Sequence, residues 1–289
     1  MTLVRVKGGI TMCRLYGFLA TQPTRLECSL VEAQNALQVQ SDRDGRGVRN
    51  ADGWGIAHYV GDHREVIKST MPAFADDQFA EIASDLWSEA AIAHVRAATI
   101  GRIAEENTHP FTFGVWSFAH NGTIHGFEHV RTRLDLGPYG PPEGDTDSEM
   151  VFLWLLNRME QYGLDPHEPA DNLEQVVDLL EDAVFELMDL AIASGANEPP
   201  KLNFMISDGK HLAASRWGNS LFWTFRRGVP DCAVCGLSHC PTADDNYRSV
   251  VIASEPITDE DWIEVPDGSV LGVEPGAHTM RRDLIPTAA

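Results

Sequence analysis

The element order legible in this 289-residue chain predicts an α+β fold of layered sheets, with strands at both ends, helices in a middle block, and early strands pairing with late ones. Three observations predict it. Short apolar or alternating runs occur early, at residues 14–21, 56–60, 91–97 and 114–119, and late, at 202–207, 211–215, 221–226, 249–253 and 270–273. Extended helical periodicity is concentrated between them, at 145–156 and 173–194. The regular strand-helix alternation of a doubly wound sheet is missing, and no repeat or linker divides the chain.

Taken in order, residues 14–21 are apolar on both faces, with Leu15, Gly17 and Leu19 against Tyr16, Phe18 and Ala20, as a buried strand requires. Residues 30–40 read as a helix. A polar, Gly-rich loop over 41–52 follows, long enough to be functional, and ends at Gly53-Trp54-Gly55 before strand 56–60. Residues 79–90 read as an amphipathic helix, and strands 91–97 and 114–119 flank a loop through Asn107, His109 and Pro110. A Pro/Gly cluster at 137–144 precedes Asp145-Thr146-Asp147-Ser148-Glu149, an acidic helix start backed by Met150, Phe152, Leu153 and Leu156. The longest helical pattern, 173–194, lines up Val176, Val177, Leu180, Val184, Leu187 and Ile192 and closes at Gly195. Asp208-Gly209 and Asp267-Gly268 mark turns between late strands.

A net charge of −21 repels phosphate backbones and anionic membranes, so nucleic acid and membrane surfaces are not the expected partners. No apolar run has the length of a signal peptide or membrane span, and five unevenly spaced cysteines do not make a secreted disulfide framework. A cytoplasmic setting is expected. No Gly-rich phosphate loop is present, and no cofactor is expected. Cys232, Cys235, His239 and Cys240 could offer four metal ligands, but closed zinc sites draw on two separated knuckles, and adjacent His239 and Cys240 are poorly placed to share one ion. The expected reading is no metal and a loop in a reducing compartment.

Met12-Cys13-Arg14-Leu15-Tyr16-Gly17-Phe18 reads as a protein start displaced inward, since a cysteine after methionine becomes terminal when the methionine is removed. A terminal cysteine carries its own base, an α-amine with an unperturbed pKa of about 7.7 to 8.0. Taken alone, Cys13 reads first as a small buried core residue.

Downstream lie His94-Val95-Arg96-Ala97-Ala98-Thr99, Asn107-Thr108-His109-Pro110-Phe111, Ala119-His120-Asn121-Gly122 and Gly144-Asp145-Thr146-Asp147-Ser148-Glu149. In order and type these resemble the glutaminase domain of class II glutamine amidotransferases, closest to the small stand-alone members. The likeness extends through Asp52-Gly53-Trp54-Gly55, the segment from Asn203 to Gly209 and the segment from Val251 to Pro256. It implies a four-layer αββα sandwich of the N-terminal-nucleophile hydrolase type. It implies that Cys13 attacks the γ-amide of glutamine or a γ-glutamyl compound to form a thioester, that Asn121 and Gly122 form the oxyanion hole, that Arg96 holds the substrate α-carboxylate with Thr99 beside it, and that Asp147 accepts from the α-ammonium. The bland alternatives are Arg96 as a surface charge, Asn121-Gly122 as a hairpin turn and Asp147 as a helix cap. His94, His109 and His120 are read as supporting residues.

The family pattern departs at one point: twelve residues precede Cys13, and an acylated nitrogen has no useful basicity. Residues 1–12 are therefore expected to be a propeptide or a misassigned start, and 13–289 a single class II glutamine amidotransferase domain. The expected partner is a small molecule, with a separate ammonia-accepting synthase possible. Three other functions remain open: a γ-glutamyl hydrolase for a larger amine, of the ergothioneine-pathway type; a noncatalytic γ-glutamyl-binding regulator; and a metal-dependent hydrolase.

Overall fold

A computed structural model of the chain describes residues 13–61, 63–228, 236 and 246–284. The strands are β1 (Arg14–Arg25), β2 (Trp54–Val60), β3 (His63–Ser69), β4 (Trp87–Val95), β5 (Phe111–Phe113), β6 (Trp116–Thr123), β7 (Lys201–Ser207), β8 (Leu212–Arg216), β9 (Phe222–Arg227), β10 (Arg248–Ala253), β11 (Ile263–Glu264), β12 (Ser269–Glu274) and β13 (His278–Asp283). The α-helices are α1 (Leu37–Asp42), α2 (Asp77–Asp85), α3 (Phe127–Val130), α4 (Asp147–Arg158) and α5 (Leu173–Ala193).

The strands form two antiparallel sheets, in the orders β11-β9-β10-β1-β4-β2-β3 and β13-β12-β8-β7-β6-β5. Early and late strands pair as expected, β1 lying between β10 and β4 with Tyr16 opposite both Ala253 and Ala93. The period of two along each strand sorts side chains into layers. Leu15, Leu19, Ile92, Val250 and Ile252 of the first sheet meet Ala119, Met205, Leu212, Ala214 and Leu271 of the second. The alternate residues Tyr16, Phe18, Ala91, Ala93 and Val251 face outward, with Leu37, Phe79 and Ala83 from α1 and α2. On the far side, Phe118, Phe204, Ile206 and Val270 pack against Val151, Phe152 and Leu155 of α4 and Val176, Leu180, Val184 and Leu187 of α5.

This is the αββα sandwich, and it explains why β1 is apolar on both faces. The sheets approach closely at Gly17, where an added Cβ would lie 2.5 Å from the Met205 sulfur. Helix α5 starts with a reciprocal cap: the Asn172 side chain accepts from the Gln175 amide at 3.2 Å, and the Gln175 side chain accepts from the Asn172 amide at 3.3 Å. Among the described residues, no helix is long and apolar enough to cross a membrane.

Several boundaries differ from the sequence reading. The helix expected over 30–40 is split into a wide turn, Cys28–Glu32, and α1, with Ala33 and Ala36 extended between them. Asn35 accounts for the break, donating through its backbone to Ile257 and through its side chain to Pro256, bonds a continuous helix would lose. Helix α2 ends at Asp85 rather than 90, because residues from Trp87 onward join β4 and Ala90 pairs with both Leu19 and Tyr59. Ile192, expected on the buried face of α5, is 68% exposed, and Ala191 is buried in that last turn instead. Strands β3, β5, β11 and β13 were not anticipated; each lies at a sheet edge, where one-sided pairing leaves a weaker pattern.

Candidate active site

Cys13 sits at the head of β1, with Leu15 and Leu19 marking the inward-facing side of that strand. Its Sγ accepts from the Ala97 amide at 3.3 Å and donates to the Ala97 carbonyl at 3.5 Å. Burial pushes the thiol pKa up; the Ala97 amide and the charges of Arg96 and Arg14 oppose that shift, and Asp147 reinforces it. The sulfur therefore rests as a thiol, and among the described residues no histidine hydrogen-bonds to it.

The neighbouring Arg14 guanidinium donates to the Cys13 carbonyl at 2.9 Å and pairs with Asp44 and, at 2.8 Å, with Glu255. Glu255 also accepts from the Gly45 amide, and Asp44 from the Arg46 and Val48 amides. The long polar loop expected over 41–52 is thus tied to the head of β1 by a buried ion network.

Arg96 follows β4 and is 2% exposed, which removes its reading as a surface charge. It donates to the carbonyls of Ile100 and Arg102 at 3.0 Å each, so the loop after β4 curls around its guanidinium. Asp52 anchors the same segment: its backbone amide donates to the Arg96 carbonyl at 3.0 Å, and its carboxylate accepts from the Ala98 amide at 2.7 Å. Thr99 Oγ1 lies 3.1 Å from Thr123 Oγ1, joining this loop to the end of β6.

Asn121 and Gly122 lie within β6, opposite Asn203 and Leu202 of β7, and not in a hairpin turn. The Asn121 Nδ2 donates to Ser254 Oγ at 3.3 Å, and that same oxygen accepts from the Leu15 amide at 2.9 Å. A single serine therefore links Asn121 to β1 two residues from Cys13. Gly122 is required sterically, since a Cβ there would lie 1.9 Å from the Lys201 carbonyl and 2.4 Å from His120 Nε2.

Asp147 is the first residue of α4, while Thr146 is its cap, accepting from the Glu149 amide. The Asp147 carboxylate accepts from the Ile124 amide at 3.0 Å and from Ser148 Oγ at 3.0 Å, holding it at the positive end of the helix. Thus Asp147 and Arg96, buried and of opposite sign, both lie close enough to Cys13 to act on its thiol.

The three histidines are buried supports. His120 Nδ1 is 2.9 Å from Ser148 Oγ, and its Nε2 is 2.8 Å from the Lys201 carbonyl. His94 and His109 pack against each other with ring centroids 4.3 Å apart and planes tilted by 58°. Burial pushes His94 down to about 3 and His109 well below the usual histidine range, so both are neutral at ordinary pH. Sequence reasoning assigned no role to Asn203, Asn219 or Ser254. The available signal was a polar residue inside an apolar strand, as in Leu202-Asn203-Phe204. Cys232, Cys235, His239 and Cys240 lie outside the described residues. Among the described residues, no three His, Cys, Asp or Glu side chains are grouped to hold a metal ion.

Two facing antiparallel sheets between helical layers, with a strand-leading cysteine beside a buried arginine and aspartate, define a class II glutamine amidotransferase fold. A family model described as "Glutamine amidotransferases class-II" matches residues 12–285, and the chain belongs to that family. It is 30% identical to "Probable glutamine amidotransferase DUG3" of Saccharomyces cerevisiae, over 91% of this chain and 82% of that protein. It is also 30% identical to the gamma-glutamyl-hercynylcysteine sulfoxide hydrolase of Mycobacterium tuberculosis, over 91% of this chain and 93% of that one. The crystal structure of a predicted glutamine amidotransferase from Pseudomonas aeruginosa superposes with a TM-score of 0.57 at 27% identity, covering 91% of this chain and 98% of that one.

Proposed function

We propose that the protein cleaves the γ-amide of glutamine or of a γ-glutamyl compound through a thioester on Cys13, acting once that residue is the chain terminus. The observation that carries this reading is that buried Arg96 and Asp147 both act on the Cys13 sulfur, while Ser254 ties Asn121 to the Leu15 amide on the same strand. In this reading the free α-amine of Cys13 takes the thiol proton, and the sulfur attacks the amide carbon. Asn121 Nδ2 and the Gly122 amide meet the developing oxyanion, donors worth roughly 3 kcal/mol each in such sites. The amine leaves with the transferred proton, and water releases glutamate. Arg96 and Asp147 read the α-carboxylate and α-ammonium as opposite charges, with Thr99 beside the arginine.

A γ-glutamyl hydrolase acting on a larger amine is the second reading, favoured by the resemblance to the mycobacterial sulfoxide hydrolase. Both readings fit the cytoplasmic setting expected from the sequence, and the first allows a separate ammonia-accepting synthase. The test is the intact mass of the purified protein together with glutamate release from glutamine and from a γ-glutamyl amide of a bulkier amine. Loss of residues 1–12, with turnover abolished in Cys13→Ala, is the expected result. A trimmed protein that neither turns over these substrates nor forms a covalent adduct with a glutamine-like electrophile would be a binding protein instead.

A further inference from the structure

Asn219 occupies the turn between β8 and β9, and its conformation is templated by Asn203 on the inner face of β7. Asn203 Oδ1 accepts from the amides of Trp217 at 3.0 Å and Asn219 at 3.2 Å, while its Nδ2 donates to the carbonyls of Asn219 at 3.2 Å and Ser220 at 3.3 Å. Because Oδ1 meets two donors and Nδ2 two acceptors, the Asn203 amide has one workable orientation.

The next link is equally constrained. Asn219 Nδ2 donates to the Asn121 backbone carbonyl at 2.9 Å, and a carbonyl can only accept, so the Asn219 amide is fixed as well. The same Nδ2 also lies 3.3 Å from Asn121 Oδ1. That contact forces Asn121 to turn its oxygen toward Asn219 and its Nδ2 toward Ser254 Oγ, on the side of β1. Asn219 Oδ1 is buried without a partner among the described residues, so the amide is held through its nitrogen alone. Asn121, Asn203, Asn219 and Ser254 are all at most 3% exposed, leaving water little part in setting these orientations.

We infer that Asn219 is a positioning residue, which locks the Asn121 side chain with its N–H groups, rather than its oxygen, toward Ser254 and the head of β1. The inference rests on the reading of Asn121 as an oxyanion donor. A rotated amide would present a lone pair to the developing negative charge, converting a favourable contact into repulsion.

The test is a double-mutant cycle on Asn219→Ala and Asn121→Ala, in protein whose terminus is Cys13, with glutamine or the preferred γ-glutamyl amide as substrate. Asn219→Ala should lower kcat by about 10- to 100-fold, somewhat less than outright loss of an oxyanion donor, with KM within about twofold. In the Asn121→Ala background the same substitution should cost little, because its effect passes through Asn121. Asn219→Ser, which keeps one donor at smaller volume, should fall between Asn219→Ala and the parent, and a purely structural role would not produce that ranking at equal thermal stability. The assignment is overturned if Asn121→Ala is damaging while both Asn219 variants turn over at near-parent rates, or if Asn219→Ala costs as much in the Asn121→Ala background. If Asn121→Ala itself leaves turnover unchanged, the oxyanion reading fails, and this assignment fails with it.

Discussion

The sulfur of Cys13 and the backbone of Ala97 form a two-way contact, with Sγ 3.3 Å from the Ala97 nitrogen and 3.5 Å from its oxygen. The contact aims the thiol at the exit of β4, where Arg96 is buried. Burial nevertheless keeps the sulfur protonated, outweighing the Ala97 amide and the arginine charges that favour a thiolate.

If the α-amine of Cys13 is the base, kcat/KM should rise with pH as that amine loses its proton and should level off above its pKa. The ascending midpoint is expected in the ordinary range of an α-amine, about 7.7 to 8.0. Protein that retains residues 1–12 has an amide in place of the amine and should be inactive across the whole profile. Rate measurements from pH 5 to 9 on the two forms check this.

Asp147→Asn should separate thiol reactivity from substrate recognition. Asp147 pushes the Cys13 pKa up, so removing its charge lowers that pKa and increases the thiolate fraction at fixed pH. Alkylation by a small neutral electrophile should accelerate, while glutamine turnover falls by roughly 10- to 100-fold for want of the ammonium acceptor. Parallel changes in both rates would contradict the proposed role of Asp147.

Arg96→Lys keeps the charge but not the planar fork, and it also loses the two bonds to the Ile100 and Arg102 carbonyls. KM for glutamine is expected to rise at least about tenfold. Steady-state kinetics with glutamine and with a substrate lacking the α-carboxylate should show a larger penalty for the former, the loss of the loop bonds being common to both.

The buried histidines predict acid lability. His94 has a folded pKa of about 3, depressed by burial, and His109 is depressed in the same direction. An unfolded histidine binds its proton near pH 6.5, so below that pH the unfolded state gains protons that the folded state refuses. Their contribution is complete above about pH 6.5 and is lost as pH falls toward the folded values. Between pH 6.5 and 5 this amounts to about 2 kcal/mol for His94, with His109 adding in the same direction. Urea unfolding across that window measures the loss, and His109→Phe should flatten it.

Gly122→Ala tests sterics more than chemistry. The new methyl would meet the Lys201 carbonyl at 1.9 Å, so β6 and β7 would have to part, at a cost of about 1 to 3 kcal/mol. A lower Tm together with lost turnover is expected, and an unchanged Tm would contradict the packing described.

By itself the sequence determined the α+β class, the pairing of early and late strands, α5 and its periodic apolar face, and, through the family motifs, the resemblance that nominated Cys13, Arg96, Thr99, Asn121, Gly122 and Asp147. These were legible because strand and helix periods, and the spacing of short motifs, are local properties of the chain. Tertiary structure decided what local patterns cannot encode. It broke helix 30–40 at Asn35 in favour of bonds to Pro256 and Ile257, and it turned the end of helix 79–90 into β4 because Ala90 gains partners on two sides. It also brought Asn203, Asn219 and Ser254 to Asn121 across 82, 98 and 133 positions of sequence, by pairing β6 with β7 and carrying β10 beside β1. Hydrogen bonds between buried amides depend on which strands end up adjacent and which face each residue takes, and only the closed sandwich fixes both.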